Sequence, residues 1–363
     1  MRLRWVELRD FRNHPHTRIE PVPDGLVCVV GGNGEGKTNL LEGIYLLFTR
    51  SSPRVSVNLP LVRDGRDAAY VRGEIESGGG RVLVEIEIPR QGAAKIHVNR
   101  SPVRRVRDLR RQVRAVFFSP EDLDVVRGDP SERRRFMDEA ATALWPLREG
   151  VMAAYERTLR QRNRLLREWE GPGAPPDLAA WDAELVETGS TLTRLRAEAV
   201  ERLAPAASEE FAKLAGYELE CAYRPSVWGE NLEVAFRARL GERRGDEFVR
   251  RTSLVGPHRD DLDLAVRDLA ARAFASHGEA WAAALCLRGG LGSAVTDETG
   301  EPPVLILDDP FSALDPRRQR VVAERLTGLG QVLVSAAEES HVPANADAIW
   351  DVSSGTVEVR GAV

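Results

Sequence analysis

The sequence predicts an α/β fold in which a helical segment interrupts a lobe of mixed strands and helices. Three observations predict it. An apolar, β-branched run, Leu26-Val27-Cys28-Val29-Val30, leads into a glycine-rich octapeptide and then into a helical pattern from Asn39 to Leu47. The hydrophobic period becomes helical between about Pro130 and Leu214. A second run of the buried-strand type, Val304-Leu305-Ile306-Leu307, stands near the end and closes on two aspartates.

The elements follow in order. Residues 1–48 read as strand, turn, strand, glycine-rich loop, helix. Val71–Glu76 and Val82–Ile88 alternate apolar with polar residues around Ser77-Gly78-Gly79-Gly80, a hairpin signal. Lys95–Val98 reads as a further strand, and Val113–Phe118 as another that ends at Ser119-Pro120. A long helical stretch opens around Arg135 and is cut by Gly171-Pro172-Gly173-Ala174-Pro175-Pro176. A second helical run covers Leu178 to about Leu203. The pair makes an antiparallel hairpin too short for a long coiled-coil arm. Tyr217–Tyr223 and Leu232–Arg237 read as β, and Gln331–Ser335 as a late strand. The expected division is a discontinuous lobe, residues 1–130 with 245–363, and a helical insert, residues 131–244.

Composition excludes several classes. The 363 residues suggest about two domains. Hydrophobic residues make up 42% and charged residues 29%, and no apolar run approaches the roughly 18 residues of a membrane span. Met1-Arg2-Leu3-Arg4-Trp5-Val6-Glu7 carries charges where a signal peptide has its apolar core, so the cytoplasm is the expected compartment. Cys28, Cys221 and Cys286 lie far apart, with no C-x-x-C pair for a zinc hook or a redox couple. The histidines are scattered without metal-ligand spacing. A net charge of −5 excludes a uniformly basic nucleic-acid binder. Lysine occurs only at Lys37, Lys95 and Lys213, so the one in the glycine-rich loop suggests a chemical need for an ammonium group there.

The octapeptide Gly31-Gly32-Asn33-Gly34-Glu35-Gly36-Lys37-Thr38 fits G-x-x-x-x-G-K-[ST] in the strand–turn–helix context of a phosphate-binding loop. Its glycines turn backbone N–H groups toward phosphate oxygens, and the helix N-terminus adds positive potential. Lys37 is placed to reach the β/γ-phosphates of ATP, and the Thr38 hydroxyl to ligate Mg²⁺. Asp308 and Asp309 close a strand, where a carboxylate meets the ligand edge of a parallel sheet. Asp308 is expected to hold Mg²⁺, and Asp309 to polarise the attacking water.

Further on, Ser312-Ala313-Leu314-Asp315 resembles the D-loop of ABC-type ATPases; a short polar turn would look the same. Ser276-His277-Gly278 opens an Ala/Leu-rich helix, the place of the ABC signature, where Ser and Gly grip the γ-phosphate held by a second subunit. A helix cap without a ligand uses the same residues.

The chain resembles the RecF family of DNA-repair ATPases, relatives of the SMC heads, over nearly its whole length. Leu8–Asn13, Gly34–Glu42, Phe117–Leu123 with Arg133–Asp138, Val255–Leu262 and Leu307–Asp315 carry the likeness. It implies an ABC-type, SMC-head-like P-loop ATPase lobe with a second helical lobe and no long coiled coil. It implies an ATP-dependent homodimer with nucleotide sandwiched between the phosphate loop of one copy and Ser276 of the other. Arg12, Asn13, Asn39 and Glu121 join the nucleotide-binding set by the same likeness, along with Gly278 and Asp315.

The likeness further implies binding to double-stranded DNA, with preference for single-/double-strand junctions at gaps. It implies action with RecO and RecR to load RecA on gapped DNA coated with single-strand-binding protein, with slow hydrolysis resetting the dimer. The chain departs from the family pattern at Glu279, Ala280 and Trp281 after the signature glycine, at Pro310 after the paired acids, and at Ser335-Ala336-Ala337-Glu338-Glu339, where a Thr/Asp-rich switch segment is expected; no histidine stands there, unlike in transporter ATPases.

Two arginine clusters, Arg100–Arg114 and Arg133–Arg135, are candidates for phosphate-backbone contact or for solvated, acid-paired faces; the second fits a structural role better. His258 and Arg259 are expected to brace the helical lobe. Rival readings are the nucleotide-binding subunit of an ABC transporter, an SMC-like structural head, and a scaffold that holds ATP and scarcely cleaves it.

Overall fold

A computed structural model describes residues 1–103, 105–171 and 173–360; Arg104 of the first arginine cluster and Pro172 of the turn lie outside it. Strands β1 (Arg2–Phe11), β2 (His14–Ile19) and β3 (Leu26–Val30) lead into helix α1 (Lys37–Thr49). The hairpin β4 (Ala68–Ser77) and β5 (Gly80–Pro89) follows, then β6 (Lys95–Val98), β7 (Ser101–Pro102), α2 (Val106–Arg110) and β8 (Ala115–Phe118). Helices α3 (Leu123–Arg127), α4 (Pro130–Leu144), α5 (Gly150–Glu168) and α6 (Leu178–Ala215) come next. After them run β9 (Leu219–Arg224), α7 (Leu232–Arg250), β10 (Asp261–Val266), β11 (Leu269–Ala270), α8 (Ala271–Phe274) and α9 (His277–Thr299). The chain ends with β12 (Val304–Leu307), α10 (Pro316–Leu326), β13 (Val332–Ala336), β14 (Ala348–Ser353) and β15 (Thr356–Arg360).

Two six-stranded sheets face each other. One is antiparallel, in the order β2-β1-β4-β5-β6-β7. The other, β15-β14-β3-β13-β12-β8, is parallel except for the edge strand β15. The parallel strands are apolar on both faces because two cores share them. In β3, Val27 and Val29 face the antiparallel sheet and α1, while Leu26, Cys28 and Val30 face α4, α6 and α9. β12 splits in the same way, Val304 and Ile306 against Leu305 and Leu307. A third core cluster fills the helical part, where Tyr155 of α5 meets Leu185 and Val186 of α6 and Phe236 of α7.

Four expectations change. Residues 14–19 add a strand, since β2 pairs with β1 despite Pro15, which sits on a sheet edge as proline must. The helical stretch breaks at Trp145–Glu149 before α5 begins. Residues 232–237 form the start of α7 and not a strand. Leu232, Phe236 and Leu240 recur at helical spacing and are buried, and the Asn231 side chain caps the helix by accepting from the Val234 N–H at 3.1 Å. α6 runs on past Leu203 to Ala215, straight through Pro205. The proline ring is exposed, so the carbonyl it frees at Glu201 meets water, while Ala207 and Phe211 anchor the last turns in the core.

The proposed boundary between residues 244 and 245 falls inside the continuous helix α7. β9 of the insert pairs with β10 beyond it, forming the small sheet β11-β10-β9.

Candidate nucleotide site

The phosphate loop joins β3 to α1. Gly34 and Gly36 have φ of 85° and 117°, a left-handed backbone in which an L side chain is strained. At Gly36 a Cβ would also stand 2.7 Å from Asn13 Nδ2 and 3.0 Å from His14 Nε2. Gly32, Asn33 and Gly34 form the exposed tip.

Polar contacts pin the loop from behind. Asn13 Nδ2 donates to the Glu35 carbonyl at 2.9 Å, and Asn39 Nδ2 donates to Asn13 Oδ1 at 2.8 Å. The Glu35 carbonyl also takes the Gly355 N–H at 2.9 Å, and its carboxylate takes the N–H of Ser354. His14, fully buried on β2, faces the Gly36 carbonyl through Nε2 at 3.0 Å, so that nitrogen must carry the proton. Burial lowers its pKa and keeps the ring neutral. A histidine opening a short strand carries no spacing signal, so the sequence does not mark His14 as a site residue.

Lys37 Nζ donates to the carbonyls of Gly31 at 2.6 Å and Gly32 at 2.9 Å. The ammonium thus lies along the loop it would share with phosphates. Burial lowers its pKa, and the opposing pull of Asp308, Asp309 and Glu35 does not fully offset this. Thr38 Oγ1 donates to Asp308 Oδ1 at 3.0 Å, across 270 residues of sequence. Ser335 Oγ, at the end of β13, donates to the same Oδ1 at 2.7 Å and accepts the Asp309 N–H at 2.8 Å. Burial, then weaker repulsion from Glu121, holds the Asp308 carboxyl above the usual range despite these hydrogen bonds.

Asp309 has φ 50°, and burial followed by repulsion from Asp308 raises its pKa. Its Oδ1 is buried without a hydrogen-bond partner. His341, in the turn after β13, lies close enough for its charge to act on Asp309, and its Nδ1 is likewise buried and unpartnered. The segment Ser335–Glu339 lacks a histidine, and the turn supplies this one two residues later.

Thr38 and Asp308 fit a magnesium ion: a hydroxyl and a carboxylate, both hard oxygen donors, meet at the strand end. Among the described residues, no three of His, Cys, Asp or Glu converge as a metal site, so nucleotide oxygens and water would complete the shell. Glu121 is exposed in the turn after β8, near enough to act on Asp308. Arg12 is engaged: Nε and Nη2 each donate to the buried Glu42 carboxylate at 2.8 Å, a bidentate pair that ties β1 to α1.

The signature end looks different. Ser276 caps α9, with its Oγ accepting the Glu279 N–H at 3.3 Å and its own N–H donating to Glu279 Oε2 at 2.7 Å. Burial alone would raise the Glu279 carboxyl, but hydrogen bonds from Tyr217 and Ser276 and the charge of Arg267 outweigh it and hold it at about 2. Gly278 lies against Arg318 and the Ala313 carbonyl, so signature and D-loop are neighbours. Asp315 caps α10, accepting from the N–H groups of Arg317 and Arg318, each at 3.0 Å. Two departures from the family pattern touch each other: Trp281 Nε1 donates to the Pro310 carbonyl at 2.8 Å. Among the described residues, no hydrogen bond joins Ser276 to the phosphate loop.

The arginine clusters divide. Arg133 is buried and bidentate to Asp261, at 2.6 and 3.1 Å, and Arg134 donates to the Asp260 carbonyl at 3.0 Å. Arg114 is buried on the Ala143 carbonyl, with burial lowering its pKa to about 10. Arg100, Arg105 and Arg111 remain exposed. His258 braces the helical part, between Tyr155 OH at 2.6 Å and the Ser253 carbonyl at 3.1 Å, and burial lowers it to about 4. Arg259 braces nothing; its exposed guanidinium has no partner among the described residues.

A parallel sheet with this loop and paired acids, faced by an antiparallel sheet and followed by a capped signature helix, defines an ABC-type ATPase head of the SMC kind. The family model described as RecF/RecN/SMC N terminal domain matches residues 2–359. The DNA replication and repair protein RecF of Streptomyces avermitilis is 40% identical over 373 residues, covering 99% of this chain and 100% of that protein. The Frankia alni protein of the same description is 42% identical over 362 residues, with 95% of each chain covered. A solved structure of the recombination mediator protein RecF with ATP, in the RecFOR pathway, superposes with a TM-score of 0.89 at 28% identity, covering 99% of this chain and 97% of that one. The Smc head of Pyrococcus furiosus shares the fold, with a TM-score of 0.58 at 17% identity, covering 99% of this chain and 95% of that one. The chain belongs to the RecF family of DNA replication and repair ATPases.

Proposed function

We propose that this chain is an ATP-gated recombination mediator. ATP with Mg²⁺ binds at residues 31–39, with Thr38 and Asp308 on the metal and Lys37 on the phosphates. Two copies close on the nucleotide, the Ser276–Gly278 segment of each facing the phosphate loop of the other, with Asp315 alongside. The closed dimer binds double-stranded DNA and single-/double-strand junctions at gaps. It works with RecR and RecO to load RecA onto DNA covered by single-strand-binding protein. Asp309 orients and deprotonates the attacking water, and slow, DNA-dependent hydrolysis opens the dimer. The two-lobe division is retained, residues 1–130 with 245–363 around 131–244, with its second boundary best moved to the end of α7.

One observation carries the catalytic part: an unpartnered, buried Asp309 oxygen beside an Asp308 already bonded to Thr38 and Ser335. A carboxylate oxygen kept dry and unbonded costs about 1–3 kcal/mol or more unless a ligand or water takes it up. The ATP-bound relative supports the choice of ligand. The short α5–α6 hairpin disfavours a long-armed structural head.

The test is phosphate release with no DNA, blunt duplex and gapped duplex, alongside binding of each DNA with and without ATP. ATP-dependent DNA binding with turnover stimulated by gapped duplex is expected. Equal turnover under all three conditions, with no ATP effect on DNA binding, overturns the reading.

A further inference from the structure

A second basic site lies on the helical part. A cavity of about 300 Å³ is lined by Arg239, Arg243 and Arg250 of α7, by Arg259, and by Ser226. Among the described residues, no carboxylate lines it. Arg239 and Arg243 have exposed neighbours three residues on, Glu242 at 2.7 Å and Asp246 at 3.1 Å, the kind of pair that contributes little. Arg250 and Arg259 have no acid partner at all among the described residues. Four like charges around one concavity repel each other; the two exposed pairs offset this only weakly, and Arg250 and Arg259 are left uncompensated among the described residues.

The site is rigid. Buried Asp260 accepts the Ser226 N–H at 2.6 Å and also bonds Tyr223, so one carboxylate fixes both the Ser226 loop and the turn that carries Arg259. Two residues past Ser226, Trp228 is 81% exposed, whereas Trp145, Trp281 and Trp350 are at most 9% exposed. The indole is held out because Val227 beside it is packed in the helical core.

We infer that this cavity and Trp228 together grip a single strand of nucleic acid, with phosphates on Arg250 and Arg259 and a base stacked on the indole. The guanidinium fork matches phosphate oxygens, and every base offers a face to an aromatic ring. The site rests on the DNA-junction reading above and assigns the unpaired side of the junction to it. The aromatic partner that the sequence lacks around its two arginine clusters is supplied by a third cluster, assembled from residues 226–259.

The test is fluorescence anisotropy on gapped duplex, blunt duplex and an oligothymidylate across a salt series, with the full chain, ATP and Mg²⁺. Arg250→Ala/Arg259→Ala should flatten the slope of log affinity against log salt on single strand by about 1.4, the value for two phosphate contacts. Trp228→Ala should weaken single-strand and gapped-duplex binding roughly tenfold and leave blunt duplex unchanged, while Trp228→Phe restores most of it. All three variants should keep the wild-type hydrolysis rate without DNA, which also reports that they fold. Wild-type slopes and affinities in both the arginine and Trp228→Ala variants overturn the site and leave the mediator reading standing. If the unaltered chain binds none of the three DNAs, both fall together.

Discussion

The phosphate-loop end and the signature end of this molecule use the same small vocabulary of Ser, Thr, Asp and Gly, and they finish in opposite states. At the loop, residues from α1, β12 and β13 converge on one carboxylate, yet valences stay open: Asp309 Oδ1 has no partner, and Lys37 occupies backbone carbonyls of its own loop. At the signature, the capping groups are closed on neighbouring protein groups. Ser276 and Glu279 satisfy each other in a capping box, and Asp315 spends its carboxylate on the first turn of α10. The difference teaches where ligand-binding free energy is stored. The loop end is built incomplete and waits for a ligand. The signature end is complete as a helix terminus and presents a hydroxyl and N–H groups only to something that arrives from outside.

The largest expected effect lies at the open end. Lys37→Ala should lower hydrolysis by a factor of about 100 to 1,000, the usual range for losing a group that stabilises transition-state charge. Lys37→Arg should fail as well, because the fork does not fit where the ammonium lies; unchanged phosphate release in either variant would break the contrast. Next, Asp309→Asn should abolish turnover while leaving ATP binding intact by equilibrium titration. Burial, then Asp308, raises the Asp309 carboxyl, and the ionised form is the active one. Hydrolysis should therefore fall with decreasing pH, at a pH above the ordinary carboxylate range near ~4, and any residual turnover in Asp309→Asn should lack that limb.

At the closed end the effects on the isolated chain shrink. Ser276→Ala and Asp315→Ala should each cost about 1 kcal/mol of stability by urea unfolding, the value of a helix cap. Ser276→Ala should in addition lose ATP-driven self-association, which a cap alone would not explain. The smallest effect is confined to acid. Glu279 is held at about 2, below its unfolded value near ~4.3, so its carboxylate stabilises the fold above that unfolded value. That contribution disappears as pH falls through about 2. The difference in urea midpoint between the wild type and Glu279→Gln should therefore narrow across this window; a constant difference would place the Glu279 contribution outside its charge.

Local pattern made the loop end readable. Strand, glycine turn, lysine and helix are contiguous, and an all-apolar strand before two acids announces a sheet buried on both faces. The partners that complete it were not readable, because Ser335, His14 and Glu42 act across long sequence distances, with no spacing to mark them. The same limit hid the contact between Trp281 and Pro310, two departures from the family pattern joined by a hydrogen bond. Leu232-Glu233-Val234-Ala235-Phe236 is short, apolar and β-like by itself; Leu240 one turn further on and the Asn231 cap make it the start of helix α7. α6 outruns the expected end near Leu203 because Pro205 keeps its ring exposed while Ala207 and Phe211 are buried beyond it.

The central claim is that one nucleotide is held by the open end of one copy and the closed end of another. Light scattering on a size-exclusion column tests it directly, using Asp309→Asn with ATP and Mg²⁺ so that the bound state persists. The mass should double with ATP, stay single with ADP, and stay single with ATP when Ser276→Ala is added. A single-chain mass under every nucleotide condition, with gapped duplex present or absent, would contradict it.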